Sequence, residues 1–345
     1  MAKSFLTSTP PVVCVHDGVM HADEIFSVAC VKILNPNVSI IRTRDTEVLS
    51  RADFRIDVGG KYDPETGDYD HHQGDFNERH VSPSNRYEKG PKLSGFGLIW
   101  RHYGRDVIRT YLTEFGYPVD DEGVDFIWDS VDRALVAPID ACDNGEGGDF
   151  FLDTGAYRMP TIMKHIQNLV PAWIEKSPEM EQKTFDEAVQ FASGYLKREI
   201  VRGLSVHLGK YKLLELADNL AKEGKDILIL EEFIPWSPIF SRNAERTSHI
   251  KMVIFPSTNG WLVQSPYFNK KYDSGKFSQN MPDGTPRKSK YPAPKHIWGK
   301  EASDLSKITG VEDAIFVHAT GFICGAASKV GALKLARYII ENQDV

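Results

Sequence analysis

PVVCVHDGVMHADEIFSVACVKIL, residues 11–34, reads as a buried strand that runs through a polar turn into a helix. Pro11 to Val15 is a short apolar run, and His16-Asp17-Gly18 ends it. From Asp23 to Leu34, Ile25, Phe26, Val28, Ala29 and Ile33 recur at helical spacing, and Asn35-Pro36 stops the helix. Downstream, Val38–Ile41 and Phe54–Val58 read as second and third strands, the latter ending at Gly59-Gly60. Tyr69–His72 reads as the end of a fourth. Short strands alternating with helical segments predict an α/β fold with a parallel sheet built from βαβ units.

Beyond this region, Asp75–Pro91 and Pro138–Gly148 are expected to be loops. Leu93–Tyr103, ended by Gly104, and Val124–Val136 are expected to be helices. A long helical stretch, Phe185–Val201, bridges to a region of different character. There Lys212–Leu216, Ile227–Leu230, Lys251–Phe255 and Ala314–Val317 are strand candidates. Trp261–Gln264 is expected to form a hairpin with Lys251–Phe255, and Val330–Ile340 a closing amphipathic helix.

With 345 residues the chain is long enough for one large domain or two ordinary ones, with two favoured, and its 41% hydrophobic and 26% charged residues are the composition of a soluble globular protein. No apolar run reaches the roughly 18–20 residues of a membrane span. Met1–Pro11 lacks the apolar core of a signal peptide. Cys14, Cys30, Cys142 and Cys324 form no CxxC pair, which suits buried thiols in a reducing, cytoplasmic setting. The net charge of −7 is segregated: Asn269–Lys300 carries +6 and the remainder −13.

His and Asp residues fall at the carboxyl ends of the predicted strands, where open α/β sheets bind ligands. His16 follows the first strand, and His21 and Asp23 open the first helix. Asp57 ends the third strand, and Asp70-His71-His72 ends the fourth. Asp140 and Asp143 add carboxylates in a later loop. Mixed imidazole and carboxylate donors suit Mn²⁺, Fe²⁺, Zn²⁺ or Co²⁺ better than the all-oxygen shells of Mg²⁺ and Ca²⁺. Two such cations about 3.5–4 Å apart can activate a water and stabilise the leaving oxygen of a phosphate ester.

VHDGVMHADE (15–24), IIRTRD (40–45), IDVGG (56–60), YDP (62–64) and YDHHQ (69–73) together resemble the Myg (melanocyte proliferating gene) family. So do KLSGFGLIW (92–100), IDACDNG (139–145), Pro235-Trp236 and FVHATGFICG (316–325). These are DHH-type phosphoesterases with exonuclease activity on RNA. More remotely, the motifs are similar to RecJ nucleases and manganese-dependent inorganic pyrophosphatases. The resemblance implies a DHH-like parallel-sheet catalytic domain over residues 1–180, a linking helix over 181–204 and a smaller α+β substrate-binding domain over 205–345. It implies two divalent cations, Mn²⁺ first and Mg²⁺, Co²⁺ or Zn²⁺ as alternatives. His16, His21 and Asp57 would hold one; Asp23, Asp57, His71 and Asp143 the other, with Asp57 bridging. It gives catalytic roles to His72, facing the scissile phosphate, and to Asp70, orienting the histidines. Asp17 stands where the family usually has Asn, Ala22 where it has Cys, and Ser94-Gly95-Phe96-Gly97 where it has Ser-Ser-Ala-Gly.

In the second domain, the resemblance makes His318, with Thr320 and Gly321, a substrate-binding turn. The basic stretch that contains Arg287, Lys288 and Lys290 interleaves Tyr272, Phe277, Tyr291 and Trp298, a pattern that tracks a backbone and stacks bases. The expected function is a 3′→5′ exonuclease on single-stranded RNA or oligonucleotides, acting through a two-metal-activated water. The alternatives are a small-nucleotide phosphodiesterase and a non-catalytic metal-stabilised binding protein. No membrane partner is expected, and a homo-oligomer is left open.

Overall fold

The structure, a computed structural model, describes residues 2–7, 9–81, 90–146, 161–266 and 289–343. By its internal contacts the chain divides into Met1–Leu204 and Ser205–Val345.

The first unit opens with β1 (Val12–Val15), α1 (Ala22–Leu34), β2 (Ser39–Arg42), α2 (Thr46–Arg51) and β3 (Phe54–Ile56). A short hairpin, β4 (Tyr62–Asp63) and β5 (Asp68–Tyr69), follows. The sheet order is β2-β1-β3-β5-β4, parallel except for the β4 edge. The fold is therefore the α/β class expected, with β4 as an addition: two residues are too few to show a pattern. Then come α3 (Gly95–Glu114), α4 (Asp121–Val131), a π-helical turn over Asp132–Val136, α5 (Ala137–Asp143), α6 (Ile162–Gln167) and α7 (Pro178–Lys222).

α1 is buried on nearly every face, as an internal helix of the layer must be. Its Phe26 stacks on Phe96 of α3 at 5.2 Å between ring centroids. Burying a large apolar side chain of this kind is worth about 1.5–3 kcal/mol.

Three boundaries differ from expectation, the first being α7, expected over Phe185–Val201 and observed from Pro178 to Lys222. Gly104 does not end its helix; α3 runs on to Glu114. A Cβ at position 104 would stand 2.7 Å from Trp100 Cδ2 and 2.8 Å from Trp128 Nε1, so glycine serves close packing there. Residues 137–143 are helical despite Pro138. Proline lacks the N–H and crowds the carbonyl four residues back, and the wider π turn just before it supplies the room.

Gly97 carries a harder constraint. A Cβ there would meet Asp140 Oδ2 at 1.8 Å and Leu93 Cδ2 at 2.7 Å. Gly97→Ala is expected to displace the buried Asp140 and cost about 3 kcal/mol. Chemical denaturation checks this; a loss under about 0.5 kcal/mol, the range of neutral surface changes, would refute it.

The second unit contains β6 (Ile227–Ile229), α8 (Trp236–Arg242), α9 (Ala244–Thr247), β7 (Met252–Ser257) and β8 (Gly260–Gln264). It ends with α10 (Ala302–Thr309), β9 (Ala314–Val317), β10 (Ile323–Ala326) and α11 (Lys329–Glu341). Its sheet order is β6-β7-β8-β10-β9, with only β6–β7 parallel. Strand alternation gives each face a core: Met252 and Ile254 pack with α11, while Val253 and Phe255 pack with Trp236 and Phe240. Lys212–Leu216, expected as a strand, lies in α7. Leu213, Leu214 and Ala217 are buried at helical spacing, a period that a five-residue window is too short to reveal.

Candidate metal centre

The parallel sheet gathers the residues. β1 ends at Val15, so His16 leaves its carboxyl end, and the chain turns back at His21 to cap α1. Both Glu24 oxygens accept from the His21 backbone N–H at 2.8 Å. Asp23 and Glu24 thus sit in the first helical turn, where the helix dipole favours negative charge. Asp57 leaves β3 at φ 55°, the one non-glycine residue in the left-handed region among those described. Aspartate tolerates that conformation better than most residues. Asp70-His71-His72 follows β5, and Asp143 ends α5.

Asp57 is the hub. Its Oδ2 lies 3.3 Å from His16 Nε2; its Oδ1 lies 3.4 Å from His71 Nε2 and 3.5 Å from His72 Nδ1. His71 Nε2 also lies 3.2 Å from Asp143 Oδ2, and His16 Nε2 lies 3.6 Å from Glu24 Oε1. Asp23 Oδ2 accepts from Gly95 N–H at 3.2 Å. Potential ligand atoms of His16, His21, Glu24 and Asp57 all lie within 4.8 Å of one another; so do those of Asp57, His71 and His72, and those of His21, Asp23 and Asp143. The structure therefore brings together all six sequence-derived candidates and adds Glu24. Its signal was the His21-x-x-Glu24 spacing of a capping box, here with histidine at the cap.

Four atoms test whether this cluster fits divalent cations. His16 Nε2, Asp23 Oδ1, Asp57 Oδ1 and His71 Nε2 are buried without a hydrogen-bond partner. Buried polar atoms are normally paired, and these four are of the types that ligate metals. The outer contacts fit too: His16 Nδ1 lies 3.0 Å from the Asp17 carbonyl, which sets Nε2 toward the cluster. Arg44 also donates to that carbonyl and to the Asp17 carboxylate, so the extra charge at position 17 is paired.

The electrostatics run the same way. Burial opposes charging of His16, but the Asp57 and Glu24 carboxylates outweigh it and hold its pKa at about 11. His71 is likewise held at about 11, against burial, by Asp143 and Asp57. Burial would raise Asp57, yet His16 and His71 hold it below the usual carboxylate range. Asp23 is raised by burial and by the charges of Asp57 and Asp143. The carboxylates of the centre thus favour positive charge on the imidazoles beside them.

Asp70 accepts from His72 Nδ1 at 2.6 Å and from Gly60 N–H at 2.6 Å. It thereby orients His72, whose side chain is 61% exposed and open to a substrate. Asp140 does not join the cluster. It bonds Ser94 Oγ at 2.7 Å and His80 Nε2 at 2.7 Å, deep in the unit.

The second unit places His318, Thr320 and Gly321 in the turn between β9 and β10. His318 Nδ1 accepts from Thr320 N–H at 3.2 Å, and the imidazole is exposed. Gly321 lies against the Trp298 ring, and its carbonyl accepts from Ala293 N–H at 2.8 Å. Lys290 donates to the Ser248 carbonyl at 2.9 Å. Arg287 and Lys288 lie outside the described residues.

The fold and the cluster define an α/β protein with a candidate divalent-metal centre at the carboxyl edge of a parallel sheet. Residues 12–340 match the MYG1 exonuclease family model, described as "Uncharacterised protein family (UPF0160)". The chain belongs to this family. It is 30% identical to a MYG1 protein of Schizosaccharomyces pombe over 338 residues, covering 95% of this chain and 97% of that one. It is 31% identical to a Saccharomyces cerevisiae MYG1 protein over 346 residues, 94% of each. It is 28% identical to the human MYG1 exonuclease over 343 residues, 95% of this chain and 85% of that one. Among solved structures, RecJ from Thermus thermophilus in complex with Mn²⁺ matches at 17% identity with a TM-score of 0.26, covering 97% of this chain and 53% of RecJ. This chain thus spans about half of RecJ, and an overlap that low carries no argument about the site. Among the described residues no helix is long and apolar enough to cross a membrane.

Proposed function

We propose that this protein is a metal-dependent phosphodiesterase, a 3′→5′ exonuclease acting on single-stranded RNA or short oligonucleotides. The observation that carries the reading is Asp57, buried with an imidazole near each of its oxygens, in a cluster where its Oδ1, His16 Nε2, His71 Nε2 and Asp23 Oδ1 are buried without a hydrogen bond. Membership of a family with relatives called MYG1 exonuclease supports the choice of nucleic acid as substrate.

On this reading His16, His21 and Asp57, joined by Glu24, hold one cation. Asp23, Asp57, His71 and Asp143 hold the second. The nitrogen content of the shell favours Mn²⁺ over Mg²⁺. Bound there, two divalent cations would lower the pKa of water and offset charge on the leaving oxygen. His72, its Nδ1 fixed by Asp70, presents Nε2 to a phosphate oxygen. Asp70 accepts from Nδ1–H and raises the pKa of that ring, which favours the imidazolium whose Nε2–H can donate to that oxygen. Residues 1–180 form the hydrolytic domain, 181–204 the link, and 205–345 the substrate-binding domain, with His318, Thr320, Gly321, Arg287, Lys288 and Lys290 on the nucleic acid.

The test is a ladder experiment. Single-stranded RNA and DNA labelled at the 5′ end are incubated with protein and Mn²⁺. Stepwise shortening of RNA from the unlabelled end is expected. Internal cuts or release of the labelled nucleotide first would overturn the polarity. Turnover of bis(p-nitrophenyl) phosphate without any RNA shortening would make the protein a small-substrate phosphodiesterase.

A further inference from the structure

Behind the candidate centre lies a second buried ionic group. His80, 7% exposed, stands between two carboxylates. Its Nδ1 is 3.1 Å from Asp132 Oδ1, and its Nε2 is 2.7 Å from Asp140 Oδ2. Asp140 is fully buried, and its other oxygen accepts from Ser94 Oγ at 2.7 Å and from Gly97 N–H at 3.1 Å. Three stretches of chain meet here, the π turn and α5 forming one continuous helical run. His80 belongs to the segment that bridges Lys92 through Arg79. Ser94 caps α3, Asp132 starts the π turn, and Asp140 lies within α5.

Two of these pieces reach the metal centre directly. Gly95, next to Ser94, donates its N–H to Asp23. Asp143, one turn along α5 from Asp140, faces His71. A buried ionic group is weak as a device for stability, because desolvation offsets the attraction. It is strong as a device for geometry, because each carboxylate oxygen and each imidazole nitrogen accepts one arrangement. The π turn at Asp132 adds a helical irregularity of the kind that gathers at functional sites.

We infer that His80 is a positioning residue: by bridging Asp132 and Asp140 it fixes α5 and the entry to α3, and through them the carboxylates of Asp143 and Asp23. The inference rests on reading the Asp57 cluster as a divalent-metal centre. Outer partners of metal ligands commonly contribute 10–100-fold to metal affinity or activity. His80 contributes on that scale without touching metal or substrate. The family motifs gave no sign of it, since His80 lies in the polar stretch between YDHHQ and KLSGFG.

The experiment uses the full chain and Mn²⁺ alone as probe. Mn²⁺ binding to wild type, His80→Gln and Asp132→Ala is titrated by the electron paramagnetic resonance of the free ion, well below each melting temperature. Gln can serve only one of the two carboxylates. His80→Gln is expected to weaken Mn²⁺ binding about 10–100-fold. It should lower kcat for bis(p-nitrophenyl) phosphate while leaving KM near the wild-type value. Asp132→Ala frees one side of the imidazole and should shift both quantities in the same direction by less. It provides the reading if His80→Gln does not fold. Wild-type Mn²⁺ affinity and kcat in either folded variant, whatever its melting temperature, would reduce His80 to a packing role and overturn the inference. Failure of the wild type itself to bind Mn²⁺ would instead overturn the metal-centre reading.

Discussion

Asp57→Asn is expected to lower hydrolysis by about a thousandfold or more and to leave the protein folded. Asparagine keeps the size of the side chain and tolerates the φ of 55° at this position. Alanine would confound the result, since a left-handed conformation costs an ordinary residue about 1–2 kcal/mol. What Asn removes is the charge between His16 Nε2, 3.3 Å away, and His71 Nε2, 3.4 Å away. It also replaces one oxygen with an amide nitrogen that does not ligate. A carboxylate shared by two sites is lost from both, so Mn²⁺ stoichiometry should fall from about two per chain to one or none. The loss of several kcal/mol of transition-state stabilisation corresponds to the stated factor, at about 1.4 kcal/mol per tenfold. Circular dichroism establishes folding, and hydrolysis of bis(p-nitrophenyl) phosphate gives the rate. A folded variant with near-normal turnover would falsify the bridging role.

Much of this centre was legible because the sheet is parallel. In such a sheet each strand delivers its next residue to the same edge, so His16, Asp57 and Asp70-His71-His72 share an address once the strands are placed. Asp143 required more, since it arrives on a helix that Pro138 seemed to forbid. Glu24 was hidden by its second role, in which its oxygens hold the His21 N–H. Asp140 and Asp143 looked alike as strings, three residues apart in one Asp-rich stretch. Burial separates them: Asp140 is fully enclosed with His80, while the Asp143 side chain is 21% exposed. No local pattern marks a long-range partner such as His80, 60 positions from Asp140. In the second unit the turn between β7 and β8 marks their hairpin in the sequence, whereas Ile323–Ala326 forms a strand that its sequence does not mark. Its glycine and small residues carry little strand propensity, and its place between β8 and β9 is fixed by pairing rather than by pattern.

Removal of the cations is expected to abolish hydrolysis and to expose a steep dependence of Mn²⁺ binding on pH. In the metal-free protein His16 and His71 are both held at about 11, so both are protonated at neutral pH. A ligating imidazole must be neutral, and each cation that takes one of these nitrogens displaces its proton. Protons therefore compete with Mn²⁺ everywhere below about pH 11, and affinity rises with pH across the whole accessible range. A site that releases one proton gains about tenfold in affinity per pH unit, following mass action. An exposed histidine with the ordinary value of about 6.5 would instead reach a plateau by about pH 7.5. The measurement is Mn²⁺ titration of chelator-treated protein between pH 6 and 9, with the released protons read in weak buffer. Mn²⁺ at about 100 times its Kd should stabilise the fold by about 2.7 kcal/mol, or raise Tm by roughly 5–10 °C. Affinity that is flat above pH 7.5, with no proton release, would mean that His16 and His71 are not held protonated in the metal-free centre. Full activity after exhaustive chelation would remove the metal from the chemistry altogether.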